Sequence, residues 1–158
     1  MALRKILSHR YPALHKTCRP VESFDSKLHE LLDDMRETLI DSGGVGLAAP
    51  QVGILRRVVL VDNGETILEL VNPTLVETDG EQEGPEGCLS VPGKYGLVKR
   101  PYYAKVRAQD RFGNWFEAEG EELTARCFCH ELDHLDGILY TQVMERLLTD
   151  EELQELAD

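Results

Sequence analysis

Two histidines four residues apart, in the run His130-Glu131-Leu132-Asp133-His134, have the clearest capacity for chemistry in this chain. In a helix, residues at this spacing project from one face, one turn above the other, so both imidazoles can hold one metal ion. Glu131 would lie close enough to accept a proton from water on that metal. The pentad therefore indicates a hydrolytic metal site, against the alternative of a surface helix that carries two histidines by chance.

A third protein ligand must come from elsewhere in the chain. Tyr140 stands where one class of such enzymes has a third histidine, so that class is excluded. A glutamate from the short acidic tail is a less favoured alternative. Cys88 lies among turn residues just ahead of a proline, and a thiolate is a good ligand for zinc or ferrous iron. We therefore predict Cys88, His130 and His134 as the metal ligands.

Three motifs together resemble the signature motifs of the peptide deformylase family. They occur in that family's order and are Gly44-Val45-Gly46-Leu47-Ala48-Ala49-Pro50-Gln51, Glu86-Gly87-Cys88-Leu89-Ser90 and the histidine pentad. The resemblance extends from the Tyr11-Pro12 region to about Leu148. It implies an α+β fold with antiparallel β-sheets around a central metal-binding helix and one further N-terminal helix. The catalytic domain would span residues 1–148, and a short acidic tail residues 149–158.

The resemblance also implies a reaction, the hydrolysis of the N-formyl group from the formyl-methionine that begins newly made polypeptides, with release of formate. One Fe2+ per chain is expected, and Zn2+, Ni2+ or Co2+ also suit one thiolate and two imidazoles. Glu131 would serve as general base and then acid for the attack of a metal-bound water. The Gln51 amide and the Leu89 backbone N–H would stabilise the oxyanion. The alternative for Gln51 is a structural role in a turn.

Arg126 is the main departure from the family pattern, because relatives often have an aliphatic residue at this point of the side-chain pocket. It stands four residues before His130, on the ligand-bearing face of the expected helix. One expectation is that its methylene stem covers a methionine side chain while the guanidinium reaches solvent. The other is that Arg126 narrows or polarises the pocket.

Further residues are expected around the centre. The glycine-rich strand would pair with the substrate main chain. The residues expected to contact the substrate are Gly44, Val45, Gly46, Gly87, Arg126 and Cys127. A buried cysteine with no role is the alternative for Cys127. Salt bridges behind the ligands would involve Asp133, Arg100 and Glu86, against the alternative of a solvated Asp133.

Charge and composition limit the partners. A net charge of −12 and a pI near 4.8 disfavour nucleic acid and anionic membrane surfaces. The sequence has no apolar run of membrane-spanning length and no signal peptide, and its four cysteines lack a disulfide framework, so we expect a cytoplasmic protein. We also expect a monomer. Some deformylases carry a basic C-terminal helix that reaches the ribosome; here the tail is acidic, so only transient ribosome proximity is expected.

The local patterns predict the elements that position these residues. Five apolar residues at helical spacing, with Asp25 or Ser26 as a cap and Gly43-Gly44 as a stop, predict a helix; they are Leu28, Leu31, Leu32, Met35 and Leu39. Two hairpins are expected, one turning at Asn63-Gly64 and one near Gly113-Asn114. A strand break is expected at Asn72-Pro73, and a polar loop over residues 79–85 would deliver Cys88.

Two other functions remain open at this stage. The first is a different metallohydrolase that cuts internal peptide bonds. The second is a structural zinc protein or inactive relative in which a fourth protein ligand closes the site. Cys129 is the obvious candidate for that ligand, although a residue adjacent to His130 points away from the ligand-bearing face.

Overall fold

Antiparallel strands form two sheets, and both hairpins predicted from the sequence are present. The computed structural model describes residues 2–157, so Met1 and Asp158, the outer ends of the two predicted segments, lie outside the described residues. The strands are β1 (Gly46–Ala48), β2 (Val58–Asp62), β3 (Ile67–Asp79), β4 (Gln82–Cys88), β5 (Val91–Arg100), β6 (Tyr103–Gln109), β7 (Trp115–Glu121) and β8 (Arg146–Leu147). A five-stranded sheet has the order β1-β2-β3-β6-β7, and a three-stranded sheet has the order β4-β5-β8.

The first helix begins and ends at the predicted signals. Asp25 caps the first helix by accepting a hydrogen bond from the Leu28 N–H at 3.1 Å, and Gly43 ends it with φ of 71°. Short 3₁₀ helices cover Pro12–His15 and Ala49–Val52. The α-helices are α1 (Ser26–Ser42), α2 (Leu123–Leu135), α3 (Tyr140–Val143) and α4 (Asp150–Ala157). The expected α+β class, with the pentad helix α2 among antiparallel sheets and α1 as the further N-terminal helix, is confirmed.

The five-stranded sheet lies between the two long helices. The side chains of β2 alternate between the faces of the sheet, so each face packs against one helix. Val59 and Val61 pack with Phe128 of α2, whereas Val58 and Leu60 pack with the apolar stripe of α1. All four strand residues are fully buried. The helix that carries the histidines is therefore held on a rigid, apolar platform.

The segment predicted as a loop over residues 79–85 is largely strand, so that prediction was wrong. The turn is limited to Gly80 and Glu81, between β3 and β4. β4 pairs with β5 from Gln82 opposite Arg100 to Glu86 opposite Gly96. Pairing with β5, rather than apolar content, makes this acidic run a strand, and its alternation buries Glu86 while Glu83 stays exposed.

The break predicted at Asn72-Pro73 is a bulge within β3, which continues to Asp79. Asn72 has φ of 51°, and its side-chain amide binds both backbone groups of Val21, at 2.8 and 2.9 Å. The bulge thus ties the N-terminal segment to the sheet. Before α1 this segment is extended except for its single 3₁₀ turn.

The N-terminal segment also reaches the glycine-rich and cysteine motifs. The Leu7 N–H donates to the Gln51 carbonyl at 2.7 Å, and the His9 N–H donates to the Ser90 carbonyl at 2.9 Å. Both bonds hold backbone on either side of the cavity described below. Among the described residues, no helix combines the length and apolarity needed to cross a membrane.

Phe128→Ala tests the packing of α2 on the five-stranded sheet. Replacing it with alanine should lower the free energy of unfolding by about 3–5 kcal/mol, because its ring is fully buried and its loss leaves a cavity. Phe112, which is 68% exposed on the hairpin between β6 and β7, is the matched control and should cost less than about 1 kcal/mol. Chemical denaturation measures both variants, and equal losses would contradict this description of the core.

Candidate metal centre

The three predicted ligands converge on one point between α2 and the end of β4. His130 and His134 lie one turn apart on the same face of α2. The register of β4 against β5 shifts between Glu86 and Cys88, and this bulge brings Cys88 to the histidines. His134 Nε2 lies 3.2 Å from His130 Nε2 and 3.3 Å from Cys88 Sγ. All three ligand atoms lie within 4.8 Å of one another.

The spacing of these atoms fits a bound cation. An ion at about 2.0–2.1 Å from nitrogen and about 2.3 Å from sulfur, in tetrahedral geometry, would separate two nitrogens by about 3.3 Å and nitrogen from sulfur by about 3.6 Å. The observed separations are within a few tenths of an ångström of these values. Two imidazole nitrogens and one cysteine sulfur directed at a common point are the donor types that bind such a cation. The donor set therefore suits a divalent transition metal.

Glu86 determines which nitrogen of His130 faces this point. One carboxylate oxygen lies 2.6 Å from His130 Nδ1, so the ring donates there and its Nε2 keeps the free lone pair. Arg100 donates to both oxygens, at 3.0 and 2.6 Å, and the Arg126 Nη1 donates to one at 3.0 Å. The other side of Arg100 binds Asp133 at 2.8 Å. The structure thus places Glu86, Arg100 and Asp133 in one chain of ion pairs behind the histidines.

The charge state of these groups follows from their partners. Burial raises the pKa of the Glu86 carboxyl, but hydrogen bonds from His130 and Arg100 outweigh burial and lower its pKa to about 2. Burial lowers the pKa of His134 well below its usual value, which favours the neutral imidazole that can bind a metal. Its Nδ1 has no hydrogen-bond partner within residues 2–157.

Glu131 is the second buried carboxylate of the site, and its surroundings differ from those of Glu86. It is 4% exposed, and its Oε1 has no hydrogen-bond partner in the described part of the chain. Burial raises its pKa to about 7. Gly46 lies directly against it, since a Cβ there would approach Glu131 Oε2 to 2.5 Å and Cys127 Sγ to 2.6 Å. Any larger residue at position 46 would collide with the Glu131 carboxylate in its present position.

Gln51 lies on the other side of the ligands, with its amide orientation determined by three contacts. Its Oε1 accepts a hydrogen bond from the Ala48 N–H at 2.9 Å. Its Nε2 donates to Ser90 Oγ at 3.1 Å and to Cys88 Sγ at 3.6 Å. The amide N–H groups therefore face the ligand cluster, and Leu89 follows Cys88 directly with its side chain over Gly44.

A cavity of about 540 Å³ opens beside the ligands. It is lined by the start of β1 and the residues before it, by the end of β4 with the turn that follows, and by the first turns of α2. A larger groove of about 940 Å³, between the N-terminal segment and α1, contains none of the predicted site residues. The smaller cavity is therefore the candidate site, because it contains the titratable groups Cys88, His130 and Glu131. Its predicted lining residues are all present: Gly44, Val45, Gly46, Gly87, Arg126 and Cys127.

Arg126 is buried, so the expectation that its guanidinium reaches solvent was wrong. Its side chain is only 8% exposed, because Glu86 draws the guanidinium inward. The second expectation, a polarised cavity wall, agrees with this placement. Cys127 is also buried, its thiol donates to the Val45 carbonyl at 3.5 Å, and burial raises its pKa well above the usual value. Cys129 packs in the apolar core and is not part of the ligand cluster.

Two contributors were missed from the sequence. Ser90 belongs to the cysteine motif, but only the structure shows that its hydroxyl accepts from Gln51. The ring of Tyr95 packs on Gly87, where a Cβ would approach the ring to 2.5 Å. No sequence signal marks Tyr95, because its role depends on the pairing of β4 with β5.

Comparison with known proteins places the chain in a family. Residues 3–149 match the model of polypeptide deformylases. A peptide deformylase of Agathobacter rectalis is 55% identical, with 95% of each chain covered, and one of Caldanaerobacter subterraneus is 53% identical over 98% of this chain and 97% of that protein. The crystal structure of peptide deformylase from Thermotoga maritima superposes with a TM-score of 0.88 at 38% identity, covering 90% of this chain and 98% of that one. A peptide deformylase from Legionella pneumophila gives 0.86 at 40% identity, covering 98% and 97%. This chain therefore belongs to the polypeptide deformylase family.

Proposed function

We propose that this enzyme hydrolyses the N-formyl group of the formyl-methionine that begins newly made polypeptides and releases formate. Its membership of the polypeptide deformylase family supports this substrate. The observation that carries the proposal is a buried Glu131, without a partner among the described residues, beside the converging Cys88, His130 and His134. The reaction adds water across the formyl C–N bond, so the products are formate and a free amino terminus.

Cys88, His130 and His134 would hold one ion, which we propose is Fe2+, with Zn2+, Ni2+ or Co2+ as substitutes that the same donors accept. When bound there, the ion would acidify water and polarise the formyl oxygen. Glu86 contributes by keeping the Nδ1 proton of His130 on the side away from the ligand point.

Glu131 would move the protons. A carboxylate with a pKa near 7 can take a proton from the attacking water and return it to the departing amine. Burial raises this pKa, and the same residue lines the cavity in which the substrate would lie. Gly46 and Cys127 pack against the carboxylate and limit its motion.

Gln51 and the Leu89 backbone N–H would stabilise the negative charge that develops on the formyl oxygen. The Gln51 amide cannot turn over without losing its bond from Ala48, so its N–H groups stay directed at the site. Preorganised donors of this kind lower the barrier because they need no reorientation during the reaction.

The peptide main chain would lie along β1. Within residues 2–157 this strand pairs only with β2, so its other edge is open toward the cavity. An extended peptide can add to such an edge through main-chain hydrogen bonds. Gly44 and Gly46 offer no side chain that would obstruct its approach.

The partners proposed here follow from charge and chemistry. The helix α4 is acidic, with Asp150, Glu151 and Glu152 in its first turn, so it does not offer a basic surface for ribosomal RNA, and any proximity to the ribosome would be transient. We propose that the enzyme acts as a monomer in the cytoplasm, without binding nucleic acid or membrane. Its four cysteines are free thiols, as a reducing compartment allows.

Glu131→Gln tests the proton-transfer role. Formate release from formyl-Met-Ala-Ser should fall by about 10²–10⁴-fold, because the amide cannot accept the proton of water. Metal content should stay at one ion per chain. Glu65→Gln, at an exposed turn, is the control with full activity. Cleavage of an internal peptide bond, in place of formate release, would favour the rival metallohydrolase.

Cys88→Ala tests the thiolate ligand. The variant should lose its metal during purification, and formate release should be lost with it, because two imidazoles alone hold a divalent ion weakly. Cys129→Ala removes another buried thiol and should keep one ion per chain. Metal analysis of anaerobically purified proteins measures both, and a fully loaded Cys88 variant would refute this ligand set.

Glu86→Gln tests the carboxylate behind His130. Metal affinity should fall by about 10–100-fold, since the neutral amide no longer holds the imidazole proton as strongly. Glu83→Gln changes an exposed carboxylate of the same strand and should leave affinity unchanged. Competition with a chelator measures the two affinities, and equal values would show that Glu86 has no influence on the ligands.

A further inference from the structure

We propose that Arg126 sets the side-chain preference of the cavity, so that the enzyme accepts N-formyl peptides whose first side chain ends in a neutral hydrogen-bond acceptor. Methionine sulfoxide is the acceptor-bearing counterpart of methionine. The inference rests on the proposed deformylation and specifies its substrates further.

Arg126 is within reach of the first side chain of such a substrate. It stands one helical turn from His130, and a turn rises about 5.4 Å. An unbranched side chain of methionine's length spans roughly the same distance from its Cα. The cavity that holds His130 and Glu131 also includes Arg126 in its wall. A side chain extending from the reacting end of the peptide would therefore reach the part of the cavity wall that Arg126 forms.

The guanidinium has donors to spare. Within the described residues its one hydrogen bond runs from Nη1 to Glu86, although a guanidinium carries five N–H donors. Glu86 cannot accept more, since Arg100 and His130 occupy its remaining positions. An occupant with an acceptor would satisfy these donors, whereas a hydrocarbon end would desolvate them without compensation.

Charge balance decides between a neutral and an anionic acceptor. Two guanidinium groups, of Arg100 and Arg126, face two carboxylates, of Glu86 and Asp133, in one connected cluster. Their charges cancel. A carboxylate on the incoming side chain would add an uncompensated buried charge, with Glu131 nearby. A sulfoxide oxygen accepts a hydrogen bond without that cost, and it keeps the length of the methionine side chain.

Formate release from three peptides tests the inference: formyl-Met-Ala-Ser, its methionine sulfoxide analogue and its norleucine analogue. In the wild-type enzyme, kcat/KM for the sulfoxide should equal or exceed that for norleucine, whereas an apolar cavity would reject the sulfoxide. In Arg126→Met this ratio should fall by about tenfold, the contribution of one hydrogen bond to a charged donor. Arg107→Met, on the exposed face of β6, is the matched control and should keep the wild-type ratio.

The ratio separates specificity from stability, because a general loss of Glu86 support would lower turnover of all three peptides together. A wild-type ratio below one, or a fall of less than about threefold in Arg126→Met, overturns the inference. If that variant does not fold, the wild-type ratio decides. Failure to release formate from any of the peptides would instead refute the proposed function, and turnover of methionine and norleucine with rejection of the sulfoxide refutes the role of Arg126 alone.

Discussion

The ionised Glu86 carboxylate is the constraint on which the site depends. A buried charge is costly unless it is fully paired, and this one accepts four hydrogen bonds from Arg100, Arg126 and His130. These partners come from β5 and α2, whereas Glu86 itself lies on β4. The carboxylate therefore joins the small sheet to the helix, and it brings Cys88, two residues further along β4, to the histidines.

The two buried carboxylates of the centre show how one residue type serves two roles. Glu86 is surrounded by donors and stays ionised, with a pKa near 2, while Glu131 is buried without a partner for its Oε1 among the described residues and has a pKa near 7. Environments that separate the pKa values of neighbouring acids are typical of acid–base catalysis. The first carboxylate accepts a hydrogen bond from the His130 ring, and the second is the group that we propose exchanges protons during the reaction.

Sequence patterns predicted the parts of the fold that local physics determines. The spacing of apolar residues and the caps defined α1, the Asn63-Gly64 turn marked a hairpin, and the pentad required a helix. The strand β4 was missed because it is acidic and depends on pairing with β5, which lies beyond any local window. The position of Cys88 near the histidines followed from ligand chemistry. The inward direction of the Arg126 side chain could not be predicted in this way, because only the fold shows that Glu86 lies within its reach.

The Cys18 N–H donates a hydrogen bond to the Leu135 carbonyl at 2.8 Å. Like the bonds from Leu7 and His9 to the site, this bond joins residues that are far apart in the sequence. Such contacts join distant parts of the chain, and the entropic cost of closing these large loops is offset only when both ends of each contact are present. All five strands of the larger sheet precede α2 in the chain. During synthesis the metal centre can therefore form only after these strands have been made.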